Sequence, residues 1–210
     1  IKKPIILIAS KELVLLQMKK LGFHFEINII NVNRLKFHLL DKKKINLIDV
    51  KFEFNKIFDK ISDKSNSFIN ESFSVALKIL KEKSCSGLIS GPISKKHFLK
   101  GKSLGITEYL SKKTKKDNVA MIIFNKKLSV SPITTHVALK NVNRKISKKK
   151  IYIHIGLINE FYKKNFKKKP RIAITGLNPH CESNFKDSEE DRVIIPAIKN
   201  LKTKNFKIEG

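Results

Sequence analysis

The chain has 210 residues, of which 41% are hydrophobic and 30% charged, a composition that favours a folded domain over a long disordered segment. No apolar run approaches the roughly 18 residues that a membrane-spanning helix needs, and the two cysteines form no Cys-x-x-Cys pair. These features argue against an integral membrane protein, a disulfide framework and a cysteine zinc site, and they favour a reducing cytoplasm.

The net charge of +27 raises nucleic acid or another polyanion as a partner, because lysine and arginine neutralise phosphates. However, 41 of the 45 basic residues are lysine, whereas base-edge and bidentate phosphate recognition favours the planar guanidinium. The lysines are also spread over almost every segment, without interleaved aromatic residues. We therefore interpret most of them as solvated surface and keep a Lys-rich anion- or nucleic-acid-binding module as an alternative.

Strands and helices are predicted to alternate in the first half of the chain. Ser10 and Gly22 are typical cap residues, so they predict a helix over Lys11–Leu21. Ser67 is predicted to cap a second helix over Phe68–Lys83. The apolar stretch at 45–50 receives no element. The predicted strands of this half are Pro4–Ala9, Glu26–Val32 and Gly87–Ser90, the last of them buried.

The second half contains the longest predicted helix. Ser147 is predicted to cap it over Lys148–Phe166, where apolar residues recur at helical spacing. Two apolar runs joined by a short polar turn predict a hairpin of Val119–Phe124 with Leu128–Thr135. The remaining predictions are helices at Lys95–Lys100, at Thr107–Lys115 and from near Asp187, and strands at Arg171–Leu177 and Phe206–Glu209.

This alternation predicts an α/β fold with a mostly parallel sheet and flanking helices. No linker or internal repeat divides the chain, so residues 1–210 are interpreted as one piece without an internal boundary. Both ends look cut, because the chain starts close to a predicted strand and stops as another begins. We interpret the sequence as a fragment of an incomplete α/β protein.

Three polar segments follow predicted strands, where α/β sheets bind their ligands. Lys95 comes one helical turn after a Gly-Pro break and could meet a phosphate together with free backbone N–H groups, although Gly-Pro can also be a simple turn. His136 and His180 each leave the end of a strand and could share a divalent metal, or each could be structural. Cys181 is interpreted as a small side chain near the site. The remaining histidines are assigned structural roles: His24, His38, His97 and His154.

The order and spacing of several motifs resemble the 4-hydroxythreonine-4-phosphate dehydrogenase (PdxA) family. The resemblance is strong from about residue 87 to 205 and weaker, though consistent, from 4 to 83. The motifs are Gly91-Pro92-Ile93-Ser94-Lys95, Gly105-Ile106-Thr107-Glu108-Tyr109-Leu110, Thr134-Thr135-His136, Gly176-Leu177-Asn178-Pro179-His180, and Glu189-Glu190 followed by Ile194-Ile195-Pro196.

The resemblance implies a cytoplasmic homodimer with its active site at the subunit interface, and a fold of the isocitrate and isopropylmalate dehydrogenase type. It implies NAD- or NADP-dependent oxidation of 4-phosphooxy-threonine, assisted by zinc, magnesium or cobalt. The resulting 3-keto acid then decarboxylates to 3-amino-2-oxopropyl phosphate in pyridoxal phosphate (vitamin B6) biosynthesis. No membrane partner is implied, and no catalytic base or nicotinamide-binding residue is assigned.

The resemblance assigns His136 and His180 as metal ligands, Thr107 and the adjacent Ile106 as substrate-binding positions, and Lys95 as an anion contact. If the two histidines share an ion, their nitrogens should lie about 3 to 4 Å apart. The family has histidine where this chain has Ile106, and an aliphatic side chain cannot donate a hydrogen bond to a substrate oxygen.

This difference keeps a second hypothesis open, a paralogous dehydrogenase acting on another phosphorylated hydroxy acid. An early glycine-rich segment, a third metal histidine and most of the nicotinamide site of the family are not found in these residues. The 210 residues alone are therefore expected to be inactive.

Overall fold

The computed structural model describes residues 4–37, 40–178, 180 and 188–210. The chain divides into a first unit, Ile1–Gly105, and a second unit, Ile106–Gly210. Parallel strand pairs and helices occur in both units, which confirms the predicted α/β class. Within the described ranges, no helix is long and apolar enough to cross a membrane.

The first unit is built around a three-stranded parallel sheet. Its strands are β1 (Ile6–Ala9), β2 (Ile27–Ile29) and β3 (Ile45–Asp49), in the order β1-β3-β2. The central strand β3 is the apolar stretch to which the sequence pattern assigned no element. Its Leu47 lies opposite Leu7 and is fully buried, as expected for a strand that has neighbours on both edges.

Helix α1 (Lys11–Leu21) has the predicted bounds, because both of its ends are determined by local residues. The Ser10 hydroxyl accepts a hydrogen bond from the Leu13 backbone N–H. Gly22 adopts the left-handed conformation with φ +73°, which glycine reaches without a Cβ clash.

Helix α2 (Asn66–Lys81) begins two residues before the predicted start, so the prediction that Ser67 caps it is wrong. A 3₁₀ turn at Asp63–Ser65 continues directly into the helix, and Ser67 therefore lies in its first turn. Helix α3 (Lys95–Leu99) follows at the predicted place.

The prediction of a buried strand at Gly87–Ser90 is also wrong. This segment pairs with no other strand in the part of the chain that the structure describes, and Ile89 is 84% exposed. A short apolar run becomes a strand only where a neighbouring strand offers its N–H and C=O groups.

The second unit is dominated by helices. Helix α6 (Lys148–Phe166) has the predicted bounds, and the Ser147 hydroxyl caps it by accepting from the Lys150 N–H. The other elements are α4 (Ile106–Thr114), α5 (Val142–Lys145), strand β4 (Arg171–Ala173), a π-helical turn at Glu190–Ile194, α7 (Ile195–Thr203) and strand β5 (Lys207–Glu209). The core of this unit contains Ile151, Ile155, Ile194, Ala197, Ile198, Leu201 and Ile208.

The strands of the second unit are shorter than predicted. The predicted hairpin forms one antiparallel pair, Ile123 with Val130, and Pro132 soon follows, which has no N–H to donate to a ladder. Strand β4 pairs in parallel with β5 over Arg171–Ala173, and the Ile174 N–H also donates to the Glu209 carbonyl. A helix is predicted to begin near Asp187. Residues 181–187 lie outside the described residues, so this predicted start is not tested.

Candidate metal and substrate site

The candidate residues lie in both units. Lys95 is exposed at the start of α3 in the first unit, whereas the other four belong to the second unit. Helix α3 has five residues, so its dipole adds little to anion binding at Lys95. Ile106 and Thr107 form the first turn of α4, and His136 and His180 lie in exposed loop segments.

The segment that contains His136 is attached to helix α4. The Thr135 hydroxyl donates a hydrogen bond to Glu108 Oε1 over 3.1 Å. Glu108 lies one position after Thr107, so this bond joins the first turn of α4 to the residue before His136. The structure thereby brings a predicted substrate-binding turn next to a predicted metal-ligand segment.

The backbone of His136 has φ +54°, in the left-handed region that few non-glycine residues occupy. Histidine is among the side chains that tolerate this region, and such conformations are often found at functional sites. The exposed imidazole is therefore presented from a turn rather than from a regular strand.

The segment that contains His180 is organised by two hydrogen bonds. The His180 backbone N–H donates to Asn178 Oδ1 over 2.7 Å, which closes an Asx turn. The Leu177 N–H donates to Glu190 Oε1 over 2.7 Å. Pro179 and Cys181 are among the residues that the structure does not describe, so the interpretation of Cys181 is not tested.

Glu190 is a buried acidic residue of this site, only 3% exposed. The Leu177 backbone N–H holds the pKa of this carboxyl below its usual range, and further backbone N–H groups and the Ser188 side chain act in the same direction against desolvation. Glu190 is therefore a buried carboxylate, stabilised in its charged form by the backbone of the His180 segment.

A second polar contact of this unit joins the hairpin to α6, where the side chain of His154 is buried. The Ser131 hydroxyl donates to the Met121 carbonyl, so the contact of 2.7 Å between Ser131 Oγ and His154 Nε2 must have the histidine nitrogen as donor. Burial lowers the pKa of His154, and the nearby Lys150 lowers it further. His154 is thus a neutral, hydrogen-bonded core histidine, as its assigned structural role predicts.

The other titratable cluster belongs to the first unit. Asp63 contacts Lys100 at 2.6 Å and His97 Nδ1 at 3.1 Å, and the hydrogen bond from Lys100 is the largest cause that lowers the pKa of Asp63. His97 lines a groove of about 950 Å³ whose wall is mostly the irregular loop at 51–62. None of the five candidate site residues lines this groove.

The residues of the second unit fit a divalent cation in kind but do not complete its coordination. Imidazole nitrogens are common ligands of zinc, cobalt and related ions, and His136 and His180 supply two of them. No group of three or more histidine, cysteine or carboxylate side chains that could hold a metal occurs within the residues that the structure describes.

Sequence reasoning missed Glu108 and the contact that Glu190 makes. Glu108 lies inside the Gly105–Leu110 motif and Glu190 inside the Glu189-Glu190 motif, but the sequence assigns neither of them a role. The available signal was their position within motifs that also contain predicted site residues. Their hydrogen-bond partners lie 27 and 13 residues away, beyond the reach of local patterns.

Solved structures with the same architecture are dehydrogenases by name. The crystal structure titled as a 4-hydroxythreonine-4-phosphate dehydrogenase from Burkholderia phymatum matches 97% of this chain and 62% of its own, with TM-score 0.80 and 24% identity. The corresponding Klebsiella pneumoniae structure matches 98% and 64%, with TM-score 0.81 and 23% identity. At 23 to 24% sequence identity, the structural similarity shows that the fold is shared.

The family follows from the sequence comparison. The family model described as "Pyridoxal phosphate biosynthetic protein PdxA" matches residues 1–210, and the chain belongs to this family, which confirms the resemblance. A 4-hydroxythreonine-4-phosphate dehydrogenase of Sulfurihydrogenibium is 37% identical over 168 residues, covering 78% of this chain and 51% of the relative. A D-threonate 4-phosphate dehydrogenase of Salmonella typhimurium is 34% identical over 107 residues, covering 50% and 33%. The chain spans about half the length of the first of these relatives and a third of the second.

Proposed function

We propose that the full-length protein with this sequence oxidises the secondary hydroxyl of 4-phosphooxy-threonine, with NAD or NADP as hydride acceptor. The observation that supports this best is the hydrogen bond between Thr135 and Glu108. It joins the turn with the predicted substrate contacts to the segment with a predicted metal ligand. The product is a 3-keto acid that loses carbon dioxide to give 3-amino-2-oxopropyl phosphate, in a protein fold of the isocitrate and isopropylmalate dehydrogenase type.

His136 and His180 bind the divalent cation, which is zinc, magnesium or cobalt. When bound, such an ion lowers the pKa of the substrate hydroxyl and stabilises negative charge on its oxygen as the hydride leaves. The Thr107 hydroxyl contacts the substrate by hydrogen bonding. Ile106 offers only apolar contact, and the ammonium of Lys95 attracts the phosphate group of the substrate.

The proposed enzyme is a cytoplasmic homodimer with its active site at the subunit interface. The two histidines leave the coordination of a tetrahedral or octahedral ion incomplete, and no third ligand group is present within the described part of the chain. A further ligand from a second copy completes the site in this proposal. Velocity sedimentation of the full-length protein tests the dimer. The sedimenting species is expected to have twice the mass of one chain.

A paralogous dehydrogenase is the second candidate, and a specific residue favours it. Ile106 replaces a polar family residue beside Thr107, so one hydrogen bond to the substrate is lost. A similar chain from Salmonella typhimurium is named a D-threonate 4-phosphate dehydrogenase. A substrate of that kind, a phosphorylated hydroxy acid without the amino group, is therefore the alternative to assay beside 4-phosphooxy-threonine.

A non-catalytic Lys-rich binding module is the third candidate. It predicts binding to DNA or RNA that weakens steeply with salt concentration. Exposed lysines occur in both units rather than in one stripe, which argues against a dedicated nucleic-acid surface.

NADH formation at 340 nm by the full-length protein tests the proposal, with each of the two phosphorylated substrates and with or without added Zn²⁺, Mg²⁺ or Co²⁺. The expected result is metal-dependent oxidation of 4-phosphooxy-threonine that falls at least about 100-fold in His136→Ala. His24→Ala is the matched control, because His24 is exposed in the first unit. Oxidation of D-threonate 4-phosphate alone indicates the paralogue, and oxidation of neither substrate contradicts the dehydrogenase proposal.

A further inference from the structure

The two histidine segments of the second unit have a feature in common beyond their histidines. Each is bound by one oxygen of a glutamate from a different part of the unit. Glu108 accepts from the Thr135 hydroxyl, and Glu190 accepts from the Leu177 N–H. Thr135 is the residue before His136, and Leu177 lies three residues before His180.

The two glutamates also share an unusual state of their second oxygen. Oε2 of Glu108 and Oε2 of Glu190 are both buried without a hydrogen-bond partner among the residues that the structure describes. A buried carboxylate oxygen without a donor is costly. Each glutamate therefore uses one oxygen to bind a histidine segment and leaves the other buried without a donor.

The geometry of the two segments explains why such anchors are needed. His136 has φ +54°, a sparsely populated conformation that persists only where its surroundings hold it. The backbone N–H of His180 closes an Asx turn with Asn178. Neither histidine lies in a helix or a strand. A metal ligand on an irregular segment keeps its geometry only if other groups restrain that segment.

We propose that Glu108 and Glu190 are positioning residues that hold the His136 and His180 segments in metal-binding geometry. This inference rests on the proposed metal site. Neither carboxylate is required to touch the ion. Glu108 acts through the Thr135 side chain, and Glu190 acts through the backbone of Leu177, so the two anchors can be removed independently.

The experiment is a titration of the metal-free full-length protein with Co²⁺. Binding is measured by calorimetry and by the visible absorption of the bound cobalt. Glu108→Ala and Glu190→Ala are expected to weaken Co²⁺ binding by about tenfold or more and to change the cobalt spectrum. Glu108→Gln is expected to restore most of the affinity, because its amide oxygen can still accept from Thr135. Glu160→Ala is the matched control, since Glu160 is exposed on α6 of the same unit.

Amide hydrogen exchange of the metal-free protein gives a second readout that does not involve metal. Exchange at Leu177 is expected to accelerate in Glu190→Ala and to stay unchanged in Glu108→Ala, because only Glu190 binds that N–H. If Glu190→Ala does not fold, Glu190→Gln replaces it. The neutral amide is a weaker acceptor, so a loss of affinity of about threefold is expected there.

Folded glutamate variants that bind Co²⁺ as tightly as the unaltered protein, with the same spectrum, would overturn the inference. His136→Ala and His180→Ala separate this outcome from failure of the metal site itself. If the histidine variants lose Co²⁺ and the glutamate variants keep it, only the positioning role is wrong. If the histidine variants also keep it, the proposed metal site is wrong, and the positioning role fails with it.

Discussion

The two units differ in the kind of polar group that they bury. Among the described residues, the buried polar side chains of the first unit are Ser10 and Asn46, and those of the second unit are His154 and Glu190. The first pair is neutral at every ordinary pH, whereas the second pair can gain or lose a proton. Buried ionisable groups are costly and often belong to functional sites. His154 has a structural role, so Glu190, which accepts from the Leu177 N–H, is the member of this pair that supports the proposed site in the second unit.

The roles of the neutral pair are structural and local. Ser10 caps helix α1. Asn46 accepts from the Asn28 side chain and from the Asp41 N–H, and it donates to the Asp41 carbonyl. These bonds satisfy the backbone N–H and C=O of Asp41, which precedes the central strand β3. In the second unit, Glu190 is bonded instead to a loop that leads to a predicted metal ligand.

The largest expected effects are equal in the two units, because both have apolar cores. Leu47→Ala in the first unit and Leu201→Ala in the second should each lower the free energy of unfolding by about 3 kcal/mol. Both leucines are almost completely buried. Urea denaturation followed by circular dichroism measures the change.

The exposed residues Ile61 and Leu139 are the matched controls, one in each unit. Their alanine variants should unfold at the urea concentration of the unaltered protein. A much smaller effect of Leu201→Ala than of Leu47→Ala would mean that the second unit lacks a core of its own, and the comparison of buried polar groups would lose its basis.

The next largest effects are expected at Asn46, whose side chain is neutral, and at Glu190, whose side chain is charged. Asn46→Ala and Glu190→Ala should each lower the free energy of unfolding by about 2 kcal/mol at pH 7.5. The pKa of Glu190 is lowered in the folded protein, so its contribution is present above the carboxyl's ordinary value of 4.5 and is lost as the pH falls through its folded pKa.

Urea denaturation at pH 7.5, 5 and 3.5 measures this difference. The cost of Asn46→Ala should stay constant, and the cost of Glu190→Ala should shrink at the lowest pH. Equal costs for Glu190→Ala at all three pH values would show that its carboxylate is not the stabilising group.

A smaller effect concerns His154. Burial lowers the pKa of its imidazole, so the unfolded chain takes up a proton at a higher pH than the folded protein does. Stability from this group is complete above the ordinary histidine pKa of 6.5 and decreases as the pH falls toward the folded pKa.

Thermal unfolding between pH 7.5 and 5.5 should therefore show a decreasing melting temperature. His154→Gln, which keeps a donor for Ser131, should flatten this decrease. His24→Gln is the control, because His24 is exposed. An unchanged slope in His154→Gln would assign the pH dependence to another group.

The smallest effect is expected at the exposed ion pairs. Lys44 contacts Glu26 at 2.6 Å in the first unit, and Arg171 contacts Glu209 at 2.8 Å in the second. Such pairs are screened by solvent. Lys44→Gln and Arg171→Gln should leave the melting temperature unchanged within error in 0.15 M NaCl. A clear shift in only one variant would show that the exposed ion pair of that unit contributes to stability and the other does not.

The sequence predicts those elements whose ends are determined by neighbouring residues. Helices α1 and α6 have the predicted bounds because Ser10, Gly22 and Ser147 form the expected caps. The strands depend on partners elsewhere in the chain, and this dependence explains both errors of that kind. Gly87–Ser90 lacks a partner strand within the described ranges, and the stretch that received no element is the central strand β3.

The candidate site is predictable to a similar degree. The histidines and the first turn of α4 come from motifs with a fixed order in the sequence. The contacts of Glu108 and Glu190 arise from folding, because they join segments 27 and 13 residues apart. Sequence patterns predict which groups bind, whereas the hydrogen bonds of Glu108 and Glu190 are visible only in the structure.

The proposed metal site is tested by a crystal of the full-length protein that is soaked in Zn²⁺ and measured at the zinc absorption edge. We expect one anomalous peak with a nitrogen of His136 and a nitrogen of His180 both about 2.1 Å away. A zinc peak on other side chains, or two imidazoles whose nearest nitrogens are more than about 8 Å apart, would contradict it.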